Sequence, residues 1–417
     1  MIRQYDLVIV GAGMVGASLA LAILPEVAAR GLRVALLDSA DLLQNSSQIR
    51  SPSYDSRSTA LAYGARSFYQ RTGVWQALQT HLTPIRQIHV SDRGQFGVTR
   101  IQAEEERVPA LGYVVENQGL GQVLMQQLFS AQGQGLEIMS ASEVTALQPI
   151  ERGYRLCVEQ GDGQEWLEAD LVVMADGGRS ALREQLGIEY QVEDYQQSAL
   201  VFNLSLDRPH QHIAYERFTA DGPLALLPIA NHQGEARCGV VWTQPQALLP
   251  YRQEQADRAF LTDLQDAFGY RAGRFLRVGQ RFSYPLQRIQ AKEQIRSGLV
   301  VLGNAAHALH PIAGQGYNLA LRGVIDLAEN LVASWRLGLP AGSLSRLQIF
   351  LDKRLEDQKL TIGMSDQALK LFTSQFPGLP CARGLALQAL DFCPSAKTLF
   401  ARRAMGLHHS ALHLGQD

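Results

Sequence analysis

The sequence predicts an α/β fold: a Rossmann-type domain at the start, an antiparallel β-sheet domain inserted into it, and helices at the C-terminus. Three observations predict it. Residues 5–38 carry a strand–helix–strand pattern with a glycine-rich turn. Residues 195–290 switch to alternating apolar and polar residues with frequent turn signals. A buried strand, a Gly-rich loop and a long helix then return after residue 298.

Each element has a local reason. Residues 5–10 are a short apolar, β-branched run, the pattern of a buried parallel strand. Residues 14–30 are rich in Ala and Leu and read as a helix, with Pro25 marking a kink or early end. Gly31 closes the helix, and the run RVALL over residues 33–37 is a second buried strand, completing one βαβ unit. Residues 41–58 are rich in Ser, Asn and Gln and read as a long loop. Residues 120–132 have helical spacing, and residues 136–175 hold several strand-like runs. Between 195 and 290, Arg208-Pro209, Asp221-Gly222 and Gly234-Glu235 punctuate an antiparallel sheet. From Ser343 onward the pattern is helical, broken near residues 377–380. These runs divide the chain into a discontinuous nucleotide-binding domain (1–77, 100–180 and 285–342), a second domain (78–99 and 181–284) suited to substrate, and a C-terminal helical region (343–417).

Bulk properties exclude several classes. The 417 residues are 46% hydrophobic and 19% charged, enough for large cores and unlike a disordered chain. With 38 basic and 40 acidic residues, and no basic run, nothing suggests nucleic acid. The four cysteines are scattered without a C-x-x-C pair and read as free thiols in a reducing cytoplasm. No metal site is expected. The N-terminus enters a strand at once, leaving no room for a signal peptide, and no apolar run reaches the roughly 18 residues of a membrane span.

The first motif is Gly11-Ala12-Gly13-Met14-Val15-Gly16, a G-x-G-x-x-G between strand and helix. Gly11 allows the tight turn, Gly13 lets the backbone approach a pyrophosphate, and Gly16 permits close helix–strand packing. The helix N-terminus offers free N–H groups and a positive dipole end to phosphate. Asp38 ends the second strand about twenty residues on, where a carboxylate accepts ribose hydroxyls. Glycines alone could serve a structural turn; strand, glycines, helix and terminal acid together indicate a dinucleotide. The acid favours FAD or NAD over NADP but does not separate the first two.

Two later segments do. Residues 170–180 (DLVVMADGGRS) form a strand ending in an Asp-Gly turn. Residues 298–320 (GLVVLGNAAHALHPIAGQGYNLA) form a strand, a loop and a helix. In order and register these resemble the second and third fingerprints of the aromatic-ring hydroxylases, the single-component FAD monooxygenases, from residue 5 to about 335. The third motif carries Gly303-Asn304 where that family usually has Gly-Asp. This variant, followed by His-Pro-Ile-Ala-Gly-Gln-Gly, resembles the branch that hydroxylates 2-polyprenyl-6-methoxyphenols in ubiquinone biosynthesis. Residues 113–117 (YVVEN), 216–219 (ERFT), 222–228 (GPLALLP) and 404–407 (AMGL) are similar to that branch too.

The resemblance implies roles at matching positions. Gly11, Gly13, Gly16 and Asp38 would hold the adenosine diphosphate. Arg57 would approach the flavin side and Gln122 would make a polar contact. Asp176 and Gly177 would support the pyrophosphate region, and Gly303 and Asn304 the ribityl chain. Gly314, Gly316, Tyr317 and Asn318 would bring backbone N–H groups to the flavin ring, where a helix N-terminus stabilises negative charge. His310, Pro311, Gly314 and Gln315 are the candidate catalytic residues of this loop, Pro311 setting its shape. His307 and His310 read more simply as hydrogen-bonded structural histidines. Tyr215, Arg217, Leu226 and Pro228 are candidate substrate residues, although any one of them is as well explained by packing.

The implied chemistry takes FAD as cofactor, NAD(P)H as transient reductant and molecular oxygen as co-substrate, and hydroxylates a lipid-tailed phenol. The implied location is cytoplasmic, with contact to other ubiquinone-biosynthesis proteins and to the inner membrane left open. Residues 369–403 combine apolar positions with Lys397, Arg402 and Arg403. They read either as helices covering the FAD domain or as a partner or membrane-surface element. An FAD-dependent reductase, a hydroxylase of another aromatic substrate, and a non-catalytic FAD scaffold stay open as alternatives.

Overall fold

The computed structural model describes residues 2–42, 57–177, 181–309, 314–374, 376 and 378–407. Five short strands form a parallel sheet in the order Leu299–Val301, Val172–Met174, Leu7–Val10, Val34–Leu37 and Leu136–Met139. A two-residue strand, Ile295–Arg296, adds antiparallel at one edge. The apolar continuity of Leu7–Val10 follows from burial on both faces. Leu7 and Ile9 pack on one side, beneath helices Met14–Arg30, Asn117–Ser130 and Gln315–Arg336. Val8 and Val10 pack on the other, against a three-stranded meander of Ser142–Pro149, Tyr154–Gln160 and Gly163–Ala169. Gly161 and Asp162 make the hairpin turn between the last two strands of that meander, Gly161 lying at φ 58°.

Pro25 does not end the first helix, which runs on to Arg30 and closes at Gly31 in the left-handed region at φ 64°. The loop expected over 41–58 lies mostly outside the described residues, but Ser58–Ala62 is a strand. It pairs with Gly112–Glu116, which also pairs with Leu82–Ile85.

The second sheet has nine strands. Its main path runs His307–Ala308, Phe282–Ala291, Tyr190–Leu206, Glu235–Pro245, Gly222–His232, Ile213–Thr219, Gln87–Asp92 and Val98–Gln102. It is antiparallel except where Gln87–Asp92 runs parallel to Ile213–Thr219. Phe282–Ala291 crosses the boundary expected at residue 285, and Val98–Gln102 the one at 99. The 195–290 reading contains no helix, yet Asp257–Phe268 is one. Phe260, Leu264, Ala267 and Phe268 recur at helical spacing and cover one face of the sheet with Trp242, Val240 and Leu226.

The C-terminal helices do not all cover the FAD-side domain. Leu344–Thr373 packs along Gln315–Arg336 and reaches strands Ile213–Thr219 and Gly222–His232. Leu379–Phe392 packs instead on the edge of the large sheet, at Gln87–Asp92 and Val98–Gln102. The approach is close because both partners are glycine at the crossing: a Cβ on Gly97 would lie 1.9 Å from the Gly384 carbonyl oxygen.

Candidate active site

The phosphate cradle has the geometry its glycines require. Gly11 sits at φ +102°, and a Cβ there would lie 2.6 Å from the Ala175 carbonyl oxygen. A Cβ on Gly16 would lie 1.9 Å from the Gly11 carbonyl oxygen, so helix and turn meet at backbone contact. Gly13 is the N-cap of the helix and no side chain caps it, leaving its first N–H groups for a ligand. Asp38 accepts from Ala12 N at 2.7 Å and from Ala40 N at 2.9 Å, one bond on each oxygen. A carboxylate has about four acceptor positions, so two remain for hydroxyls. Burial raises its pKa, opposed by these two backbone bonds.

The third motif stands across the sheet end from this cradle. Gly303 is left-handed at φ +65° with Val15 against it, and Asn304 is exposed beside it. Gly314, at φ +61°, is the N-cap of helix Gln315–Arg336, again with no side-chain cap. Among the described residues, no atom lies within 4 Å of a would-be Cβ on the first-turn Gly316. Open space before uncapped N–H groups is what a planar anionic ring edge needs, so these residues fit a flavin. Gln315 flanks Gly316 in the same turn.

Two residues of this loop have partners the sequence does not show. Asn318 locks the loop to strand Ser58–Ala62: its Oδ1 accepts from Ala62 N at 2.8 Å, and its Nδ2 donates to Ala60 O at 2.8 Å and Gly314 O at 2.9 Å. The Tyr317 hydroxyl meets Tyr69 Oη at 2.5 Å and Ser18 Oγ at 3.4 Å, tying the loop helix to the first helix. Both side chains brace the loop. Arg57 precedes the same strand, with its guanidinium carbon 4.6 Å from the Tyr284 ring centre, a cation–π arrangement. Gln122 lies in helix Asn117–Ser130, and Asp176 and Gly177 follow strand Val172–Met174. His310 and Pro311 lie outside the described residues.

His307 is buried, and burial first, then the Arg354 guanidinium, push it down to about 4, so it is neutral near pH 7. Arg354 belongs to a network that sequence reading missed. It bonds Asp357 at 2.6 Å, Asp326 at 3.2 Å and the Leu319 carbonyl at 3.1 Å, while Arg322 bonds Asp357 at 2.9 Å. This clamps helix Leu344–Thr373 to the loop helix. The i, i+3 spacing of Arg354 and Asp357 was a weak signal, since such pairs are usually solvated.

Strand alternation sorts the substrate candidates. Tyr215, Arg217 and Leu226 point toward helix Asp257–Phe268: Tyr215 meets Phe268 edge-on, and Arg217 Nε donates to Ala267 O. Pro228 shares that face with Leu226. The opposite face looks toward the flavin-side domain. There a Cβ on Gly239 would strike Ser58 Oγ, Arg237 faces Glu116 at 3.6 Å, and Tyr284 carries Arg57. Across that inner face Phe282, Val201, Val241, Ala225 and Glu216 lie in register, with Leu227 opposite Gly239 in the next row. The four candidates therefore lie on the face turned to helix Asp257–Phe268, and the inner-face row lies on the face turned to the flavin-side domain. Among the described residues no group of His, Cys, Asp and Glu could hold a metal ion, and no helix is long and apolar enough to cross a membrane.

Comparison with known proteins gives the chain's family. The family model described as FAD binding domain matches residues 4–338. A ubiquinone hydroxylase, UbiL, of Rhodospirillum rubrum is 33% identical over 401 residues, covering 96% of this chain and 89% of that one. The 3-demethoxyubiquinol 3-hydroxylase of Escherichia coli is 28% identical, covering 96% and 98%. Among solved structures, p-nitrophenol 4-monooxygenase PnpA of Pseudomonas putida superposes with a TM-score of 0.75 at 16% identity, covering 98% of this chain and 99% of that one. A glycine cradle, an uncapped helix N-terminus at Gly314 and a family match over most of the sequence converge: the chain belongs to the FAD-binding-domain family of flavin-dependent monooxygenases.

Proposed function

We propose that this protein uses FAD, NAD(P)H and oxygen to hydroxylate the ring of a lipid-tailed phenol in ubiquinone biosynthesis. The observation that carries the reading is the relationship to UbiL, which spans almost the whole chain and so includes both the flavin loop and the opposing sheet. The overall balance is one ring C–H converted to C–OH, with one oxygen atom going to water and NAD(P)H and a proton consumed. Bound FAD would supply the electron transfer and oxygen activation.

The residues of this chain would bind, orient and exclude water. Gly11, Gly13, Gly16 and Asp38 would hold the adenosine diphosphate, with Asp176, Gly177, Gly303 and Asn304 along the chain between it and the ring. Backbone N–H groups of the Gly314–Asn318 turn would stabilise negative charge at the ring edge. The phenol would lie between that turn and the inner face of the large sheet. Val201, Leu227 and Val241 are apolar and only partly buried there, as a contact surface for an apolar substrate would be. The outward-facing Tyr215, Arg217, Leu226 and Pro228 would shape the sheet from behind.

The test supplies labelled dioxygen, NAD(P)H and a short-chain prenyl methoxyphenol to the FAD-loaded protein. One labelled oxygen per product, with one reductant oxidised, is the expected result. Reductant consumed with a reduced, unoxygenated product would make it a reductase. No reductant consumption would leave a scaffold.

A further inference from the structure

Helix Leu379–Phe392 is amphipathic the wrong way round for a helix facing water. Its two charged residues turn inward. Arg383 is buried and donates to Asp92 Oδ2 at 2.9 Å and to the Leu371 and Ser374 carbonyls at 2.9 and 2.7 Å. Asp391 accepts from Arg100 N at 2.7 Å. Its exposed positions are apolar or small: Ala382, Leu385, Ala386, Ala389 and Phe392, with Cys381. Leu385 is 60% exposed and Phe392 75%.

The apolar surface continues beyond this helix. Phe96, 62% exposed, sits beside Gly384, where a Cβ would lie 3.7 Å from its ring. Helix Pro394–Ala404 adds exposed Leu399 and Phe400, then exposed Arg402 and Arg403. The remaining base of that helix, Lys397, is turned in to Glu105 at 2.9 Å. The two helices therefore present large apolar side chains with two exposed arginines and carry no exposed acid of their own, and Glu105 at their edge is paired with Lys397.

We propose that this face docks on an anionic lipid surface, the apolar side chains entering the headgroup boundary and Arg402 and Arg403 meeting lipid phosphates. Charge selects this occupant over a second copy of the chain. Two copies face to face would set arginine pairs against each other, whereas the molecule as a whole is slightly acidic and has no other reason to gather bases beside an apolar patch. The position also suits a lipid-borne substrate. The preceding helix ends at the inner sheet face, where Phe372 stacks on Phe218 at 3.7 Å. The surface stands independently of the substrate assignment and goes beyond it.

The FAD-loaded full-length protein is sedimented with vesicles of phosphatidylcholine, with and without phosphatidylglycerol. Binding to the anionic vesicles, weakened by salt, is expected. The R402Q/R403Q double variant should bind them roughly 30-fold more weakly, at about fivefold per base, and behave as the parent on neutral vesicles. The L385E/F392E variant should lose binding to both while keeping its FAD, since both side chains are exposed. Absence of vesicle binding overturns the proposal. So does a concentration-dependent dimer that L385E/F392E dissolves, which would make the face a self-association surface. Binding is read without turnover, so failure of the hydroxylase reading would leave this result intact.

Discussion

Replacing Gly314 by valine tests the flavin loop at the position where backbone geometry is most demanding. Gly314 lies at φ +61°, where an L residue costs about 1–2 kcal/mol and a β-branched one more. Its Cβ would also sit 3.1 Å from the Ala60 methyl, on the strand that Asn318 clamps, and overpacking there adds about 1–3 kcal/mol. If the loop relieves this by leaving its flavin-bound shape, the cost appears as lost affinity, about 2–5 kcal/mol or roughly thirty- to five-thousandfold in FAD dissociation constant. FAD titration of the apoprotein by flavin fluorescence reads it. Gly316→Ala is the partner experiment. Nothing among the described residues lies within 4 Å of that Cβ, so the apoprotein should melt no lower, and better helix propensity adds up to about 1 kcal/mol. FAD affinity should still fall, because the open space is the ring's. If both variants purify fully yellow with unaltered affinity, the flavin does not lie against this turn.

Three further outcomes follow from the same geometry. Asp38→Asn keeps one acceptor but loses the charge-assisted bonds to Ala12 and Ala40, and FAD affinity should fall about tenfold or more by the same titration. Arg354→Met leaves Asp326 and Asp357 short of a buried partner and should cost about 3–5 kcal/mol in urea unfolding, with Arg322 and Lys353 limiting the loss. His307 and His89 are both pushed down to about 4, first by burial, from 6.5. The unfolded chain therefore binds more protons between those values, and stability should fall as pH drops from 6.5 toward 4, by about 1.4 kcal/mol per unit for each group. His307→Gln should reduce that slope, and an unchanged slope in urea melts across the range would refute the assignment.

Much of the site was legible because its chemistry is local. The cradle needs three glycines and an acid at fixed spacing between a strand, a helix and a strand, and each step of that geometry is written within residues 5–38. The long helix after Gly316 was legible for the same reason. What escaped was contact between distant segments. Asn318 has the composition of a cofactor contact, yet its side chain is used by Ala60, Ala62 and Gly314, 258 and 256 residues away in the first two cases. Tyr317 is likewise taken by Tyr69 and Ser18.

The sequence by itself determined the dinucleotide site, the layered α/β architecture and the existence of an alternating sheet, because periodicity and turn chemistry are properties of neighbouring residues; the choice of FAD came from the family resemblance of residues 170–180 and 298–320. Only the tertiary structure decided which face of that sheet meets the Rossmann-type domain. Alternation divides Tyr215, Arg217 and Leu226 from Glu216, Ala225 and Leu227 but assigns neither set, since shifting the viewpoint by one residue exchanges the faces. Helix Asp257–Phe268 settles it by burying the first set, and Ser58 against Gly239 settles it from the other side. The C-terminal helices were decided the same way. Their apolar residues suggested a covering role, but Arg383 and Asp391 find their partners on the sheet edge, and that orientation leaves Leu385 and Phe392 facing out.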